Sequence, residues 1–287
     1  MKALVTGGGG QLARALSDCA PAGIALHAPD RRALDISDEA AVAAMLDRER
    51  PDLLINAAAY TAVDRAESET EIARRINGDA PAFLARAAAQ RGIRLLHIST
   101  DFVFDGMASR PYRPDDATAP LGRYGASKLA GERGVSAAGG DTLIVRTAWV
   151  YAAGGANFME TMLRLMAERA ELRVVQDQIG TPTHAASLAA ALWRMAAGSG
   201  RGIVHYTDAG VASWYDFAVA IAEEARAAGL PLAVRSIIPI DTIDYPTPAK
   251  RPAFSVLDKA AGWALAGGAA RHWRQELRDA IARRMKG

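Results

Sequence analysis

Ala3-Leu4-Val5-Thr6-Gly7-Gly8-Gly9-Gly10-Gln11-Leu12-Ala13-Arg14-Ala15-Leu16 begins two residues into the chain. A short apolar run stops at four glycines, after which Leu12 and Leu16 recur at helical spacing. Strand, glycine turn and helix in this order make a βα unit suited to a pyrophosphate. The glycines turn the chain tightly and admit phosphate close to the backbone, and the helix N-terminus offers free N–H groups. Gly7, Gly10 and Ala13 are spaced as the turn requires. This reading predicts an α/β fold, a Rossmann-type doubly wound parallel sheet.

Moving outward, strand and helix patterns alternate. Strands are expected at 24–27, 52–55, 94–99 and 141–146, each short and apolar. Ser37, Asp38 and Glu39 start a helix that stops before Pro51. A second helical stretch covers 64–90, with a break expected near Asn77-Gly78. Residues 1–150 therefore read as a dinucleotide-binding domain. Beyond Gly154 the pattern loosens, with helices expected at 158–168, 184–197, 214–228 and about 270–284, and strands at 172–175 and 203–206. Residues 151–287 read as a smaller substrate-binding lobe that partly returns to the main sheet, with no flexible linker between the halves.

The chain has 287 residues, 50% of them hydrophobic and 23% charged, with a net charge of +2. That balance argues against nucleic acid or an anionic membrane as principal partner. No apolar run is long enough for a membrane span. Cys19 is the single cysteine, which excludes an intrachain disulfide and makes a cytoplasmic location the expectation.

Chemistry concentrates between Ser99 and Lys128. Tyr124 and Lys128 lie four apart at the start of a helical pattern, so their side chains share a face. Chance gives a Tyr-x-x-x-Lys in roughly 12% of such chains, so context must carry the motif. A phenol ionises near pH ~10, and a neighbouring ammonium is expected to bring it toward the working range. The pair suits proton transfer to an oxygen while hydride moves elsewhere. The strand before it delivers Ser99-Thr100-Asp101 to the edge where such sheets bind ligands, and either Thr100 or Ser99 can donate to a carbonyl oxygen. His97 precedes the strand's end and reads as a satisfied core residue. Small residues in Asn56-Ala57-Ala58-Ala59-Tyr60-Thr61 let a flat cofactor pass. After the second strand, Arg31 or Arg32 can meet a 2′-phosphate and Asp30 can serve NAD. The arginines tilt the expectation to NADPH, with NADH open.

These motifs together resemble the extended short-chain dehydrogenase/reductases, and more narrowly the dTDP-4-dehydrorhamnose reductase family. The resemblance spans nearly the whole length: 56–67 (NAAAYTAVDRAE), 99–106 (STDFVFDG), 124–132 (YGASKLAGE) and 146–151 (RTAWVY). It continues through 157–165 (NFMETMLRL), 177–183 (DQIGTPT) and 245–252 (YPTPAKRP), outside the cofactor unit. It implies an NAD(P)H-dependent reductase of the C4 ketone of dTDP-4-dehydro-L-rhamnose. Tyr124 would be proton donor, Lys128 would hold the nicotinamide ribose and Thr100 would polarise the ketone. Gly7, Gly10, Gln11 and Leu12 would line the pyrophosphate. Asp35 and Ile36 would flank the adenine, and Ala58, Ala59 and Thr61 the cofactor's middle. Thr100, Asp101, Trp149 and Arg251 would meet the substrate. Some family members hold magnesium through carboxylates at a dimer interface. The matching stretch Gln11 to Leu16 has none, so no metal is expected, and the expected state is a monomer or weak homodimer. A 4-epimerase or a non-catalytic dinucleotide-binding subunit are the rival readings. Dehydratases of this fold place an acid two residues beyond the threonine, where this chain has Phe102.

Overall fold

The computed structural model describes residues 1–285. In chain order its first part contains β1 (Lys2–Thr6), α1 (Gln11–Asp18), β2 (Ala25–His27), α2 (Glu39–Glu49) and β3 (Leu53–Asn56). Next come α3 (Thr70–Arg74), α4 (Ala80–Gln90), β4 (Arg94–Thr100), α5 (Arg123–Ala138) and β5 (Thr142–Thr147). Then follow β6 (Val150–Tyr151), α6 (Phe158–Glu168), β7 (Glu171–Val175), β8 (Ile179–Gly180), β9 (Thr183–His184) and α7 (Ala185–Ala197). The remainder is β10 (Gly202–His205), β11 (Ala212–Ser213), α8 (Trp214–Ala227), β12 (Ser236–Ile240), α9 (Ala260–Leu265) and α10 (Trp273–Arg284).

Six parallel strands form the main sheet in the order β10-β5-β4-β3-β1-β2. The apolar runs of β3 and β5 are continuous because both faces are covered. On one face Val5, Leu96 and Val145 pack against Leu12 and Leu16 of α1 and Leu188 and Leu192 of α7. On the other, Leu4, Leu54, Leu95 and Ile144 meet Leu46 of α2, Leu84 of α4 and Val135 of α5. A separate core joins α6, α8 and α10 through Met159, Phe217 and Leu277. Gly202–His205 returns the chain to the main sheet as its sixth strand, next to β5. Residues 286 and 287, included in the expected second lobe, lie outside the described residues.

Caps match the residues that end each pattern. Asp38 accepts a hydrogen bond from Ala41 N at 3.0 Å and starts α2, which stops at Arg50 in a left-handed conformation, just before Pro51. Ser213 and Asp216 form a reciprocal capping box on α8.

Two expectations change. The stretch 64–90 has no break at Asn77-Gly78. Instead α3 runs through a π-helical turn, Arg75–Asp79, into α4. The wider turn accommodates buried Asn77, whose side chain is tied to Tyr60 rather than to its own helix. In the second half, β12 and α9 appear where no regular element was expected. Ser236–Ile240 pairs in parallel with β7 in a two-stranded sheet, where Pro239 is tolerated because that strand is an edge.

Candidate active site

The site is built where β1, β3, β4 and β5 end. Gly7 has φ +75°, and a Cβ there would come within 2.9 Å of Ala58 Cα. Glycine therefore lets the first turn lie flat against the end of β3. A hydrogen-bonded chain locks the same edge: Ala58 N donates to Thr6 Oγ1 at 3.3 Å, and Thr6 donates to Asn56 Oδ1 at 2.6 Å. Asn56 Nδ2 then meets His97 Nδ1 at 3.0 Å. His97 is the expected core residue on that nitrogen, while Nε2 has no partner. Burial, with the Lys128 charge adding to it, holds the imidazole's pKa well below its usual value, so it is neutral.

The glycine loop fits a dinucleotide phosphate. No side chain caps α1, so its first amides lack an internal partner, and a Cβ on exposed Gly9 would meet only open space. Gly10 N turns back to Gly7 O at 2.8 Å, while Leu12 is buried beneath the loop. Gln11 Oε1 accepts from Asn157 Nδ2 at 2.8 Å, tying the loop to the first turn of α6. Beyond β2, Asp30 Oδ1 is occupied by Arg32 N and Ala33 N, whereas Arg31 is exposed and its charge reaches Asp35. Ser37, through Oγ at 2.7 Å and N at 3.0 Å, holds the Asp35 carboxyl below the usual range, next to buried Ile36. Ala58 and Ala59 are half-buried at the β3 end, and Thr61 is exposed.

Tyr124 and Lys128 ride on the first two turns of α5. A Cβ on Gly125 would lie 2.2 Å from Phe102 O, so only glycine lets this helix approach the turn after β4 so closely. Phe102 places its ring edge against Tyr124, centroids 5.4 Å apart. Lys128 is buried and its Nζ donates to Ile98 O at 2.7 Å. Burial lowers its pKa to about 8, with Glu132 pulling the other way. The expectation that this ammonium brings the phenol toward neutrality is not met. Burial pushes Tyr124 up to about 12, Thr100 draws it partly back and the Asp101 charge raises it further. The phenol is thus the protonated partner, ready to give a proton.

Thr100, rather than Ser99, faces that phenol. Ser99 stands on the opposite side of β4, buried, with its Oγ unpartnered. Thr100 Oγ1 donates to Asp101 Oδ1 at 3.0 Å and accepts from Phe102 N at 3.2 Å. Its hydroxyl must rotate away from Asp101 to donate elsewhere. Asp101 is itself buried, and desolvation pushes its carboxyl up to about 6.

On the other side Trp149 adopts φ +47°, stacked on Trp214 with centroids 3.5 Å apart and planes 4° from parallel. Arg251 spends its guanidinium on Asp64, at 2.9 and 3.1 Å, and on Thr247 Oγ1 at 2.6 Å. It clasps the proline-rich segment to the loop after β3. Sequence reasoning missed Asn77, which accepts from Tyr60 N at 2.8 Å and donates to Tyr60 O at 2.9 Å and Ser127 Oγ at 3.1 Å. Its signal was available: an asparagine inside a helical pattern competes with the helix backbone. A cavity of about 370 Å³ lined by Arg110, Arg113, Lys259 and Trp263 contains none of these side chains. Among the described residues no group of three or more His, Cys, Asp or Glu could hold a metal ion, and no helix is long and apolar enough to cross a membrane.

Comparison with known proteins matches the chain along nearly its whole length. The family model described as RmlD substrate binding domain matches residues 1–285. The dTDP-4-dehydrorhamnose reductase of Burkholderia thailandensis is 46% identical over 272 residues, 91% of each chain. A solved dTDP-4-dehydrorhamnose reductase from Clostridium acetobutylicum superposes with a TM-score of 0.92 at 39% identity, covering 98% of this chain and 99% of that one. The enzyme of the same name from Bacillus anthracis, solved in complex with NADP, gives 0.92 at 33% identity with the same coverage. Fold and site define an NAD(P)H-dependent oxidoreductase built on a Rossmann-type sheet. The glycine loop, the Tyr-Lys helix and the match across both halves narrow that class. The chain belongs to the dTDP-4-dehydrorhamnose reductase family.

Proposed function

We propose that this chain reduces the C4 ketone of dTDP-4-dehydro-L-rhamnose to dTDP-L-rhamnose with NADPH, Tyr124 giving the proton. One observation carries the reading: a protonated Tyr124 phenol faces Thr100, with the Lys128 ammonium buried one turn further along α5. The family membership supports the substrate class, and a relative solved with NADP supports the cofactor.

When bound, NADPH would supply the hydride. Gly7, Gly10, Gln11 and Leu12 would hold its pyrophosphate, Arg31 its 2′-phosphate, and Asp35 and Ile36 its adenine. Ala58, Ala59 and Thr61 would bracket its middle, and Lys128 would hold the nicotinamide ribose. Thr100 turns its hydroxyl to the ketone oxygen, Tyr124 donates as negative charge develops there, and Lys128 stabilises the phenolate left behind. Asp101, Trp149 and Arg251 position the nucleotide sugar. We read the working form as a cytoplasmic monomer or weak homodimer, without magnesium and with no nucleic acid or membrane partner.

Initial rates with dTDP-4-dehydro-L-rhamnose and each cofactor in turn, followed at the nicotinamide absorbance, test this. The expected result is one NADPH oxidised per ketone reduced, with NADH slower. No net NADPH oxidation with the ketosugar, together with interconversion of the C4 epimers of a 4-hydroxy nucleotide sugar, identifies an epimerase, and cofactor binding with neither turnover identifies a regulatory subunit.

A further inference from the structure

Glu132 lies four residues beyond Lys128 and eight beyond Tyr124, on the same face of α5. It is buried, and so is Arg146 of β5 across from it. Arg146 grips the carboxylate with two arms, Nε to Oε1 at 2.8 Å and Nη2 to Oε2 at 2.7 Å. Its third nitrogen donates to Pro114 O at 3.1 Å. Forked geometry of this kind keeps a buried carboxylate ionised and fixes where its charge sits. Such a pair is a poor source of stability, because desolvation takes back most of the Coulombic gain. Its placement beside Lys128 calls for another role.

We propose that Glu132, held by Arg146, is a positioning residue that acts through Lys128, its carboxylate serving as the countercharge that keeps the buried lysine an ammonium. The inference rests on the reading above, in which that ammonium serves the reduction. Of the groups around it, Glu132 is the acid whose charge acts on Lys128. His97 from β4 is neutral, and Tyr124 is a protonated phenol. The charge of Asp101, in the turn after β4, bears on Tyr124 rather than on Lys128. Arg74 and Asp79 pair with each other on the outer surface. His205 from β10 touches Arg146 and is kept neutral by burial and by that guanidinium. Glu132 is the acid whose charge raises the lysine's proton affinity against desolvation.

The test reads Lys128 directly. The chain has five lysines, so ¹³Cε-lysine labelling gives a resolvable spectrum, with Lys128→Arg assigning the signal. Glu132→Gln is expected to lower the Lys128 midpoint by about one pH unit, a tenfold change in proton affinity. The alkaline limb of kcat/KM should fall to lower pH by the same step, since activity needs the charged form and is lost as pH rises through its pKa. Glu132→Asp, which keeps the charge, should restore most of both. A purely structural role lowers kcat at every pH and leaves the titration where it was; that result overturns the proposal. Should Glu132→Gln fail to fold with Arg146 left unpaired, Glu132→Gln with Arg146→Met removes both charges and must still lower the midpoint, by a smaller step because the opposing guanidinium charge goes with it. An unshifted midpoint in the double variant overturns the proposal equally. The titration needs no substrate, so it stands or falls apart from the reductase assay.

Discussion

The α5 side of the site and the Trp149–Arg251 side are made differently. Tyr124 and Lys128 sit on a sixteen-residue helix pressed onto a six-stranded sheet, and the Thr6–Asn56–His97 chain ties the strand ends beneath. Trp149 and Arg251 sit on irregular segments joined by two-residue strands and by an ion pair that water reaches. The first side is fixed by buried packing, as a site that must aim a proton needs. The second is fixed by contacts that can be exchanged, as the proposed uptake and release of a nucleotide sugar would need. If this contrast holds, changes on the α5 side should strike turnover and those opposite should strike binding.

Tyr124→Phe should show the largest effect. Losing a positioned acid costs ~10²–10⁴-fold in kcat, and KM for the sugar nucleotide should move only a few-fold. A large KM change with kcat intact would falsify the division of labour. Asn77→Ala comes next, because it leaves the Tyr60 N–H and carbonyl without their partner and frees Ser127. Urea unfolding should show a loss of about 1–3 kcal/mol, with cofactor affinity weakened through the loop after β3.

Gly180→Ala probes the opposite side. A Cβ there would come within 2.5 Å of the Trp149 ring, which also stacks on Trp214. Overpacking of this kind costs about 1–3 kcal/mol. The near-UV circular dichroism of the stacked indoles should change, and KM for the sugar nucleotide should rise with cofactor affinity unaltered. Unchanged sugar binding would remove Trp149 from the substrate wall.

What the sequence made legible follows the same divide. The strand–glycine–helix opening, the α5 pair and every main-sheet strand announce themselves through the pattern of single segments. Asn77 does not, because its partners are Tyr60 and Ser127, seventeen and fifty residues away, and a π turn leaves no repeat. The phenol's proton affinity was misread for a related reason. Spacing places Lys128 near Tyr124, but only packing reveals that its Nζ goes to Ile98 O and that burial dominates. β12 was hidden by Pro239 within a half-exposed strand. Arg251 carried only an expectation of substrate contact from the resemblance, while its bond to Asp64 spans 187 positions and no local pattern encodes it.

That clasp supports the smallest and most discriminating expectation. Arg251 is 24% exposed and Asp64 40%, so solvent screens much of their attraction. A double-mutant cycle of Asp64→Asn and Arg251→Met should give a coupling of only about 0.2–1 kcal/mol in unfolding free energy. The guanidinium holds the Asp64 carboxyl below its usual range, with Ala249 N adding to it. A carboxyl lowered in the folded state contributes stability above its unfolded pKa and loses it as pH falls through the folded value. The coupling should therefore be present at neutral pH, vanish in acid and shrink with added salt. Measured as sugar-nucleotide affinity, the same cycle should show a larger coupling than it does as stability, if the clasp shapes the substrate side. Equal couplings in both would make it a fastening of the fold alone, and Arg251 would then have no part in holding the sugar nucleotide.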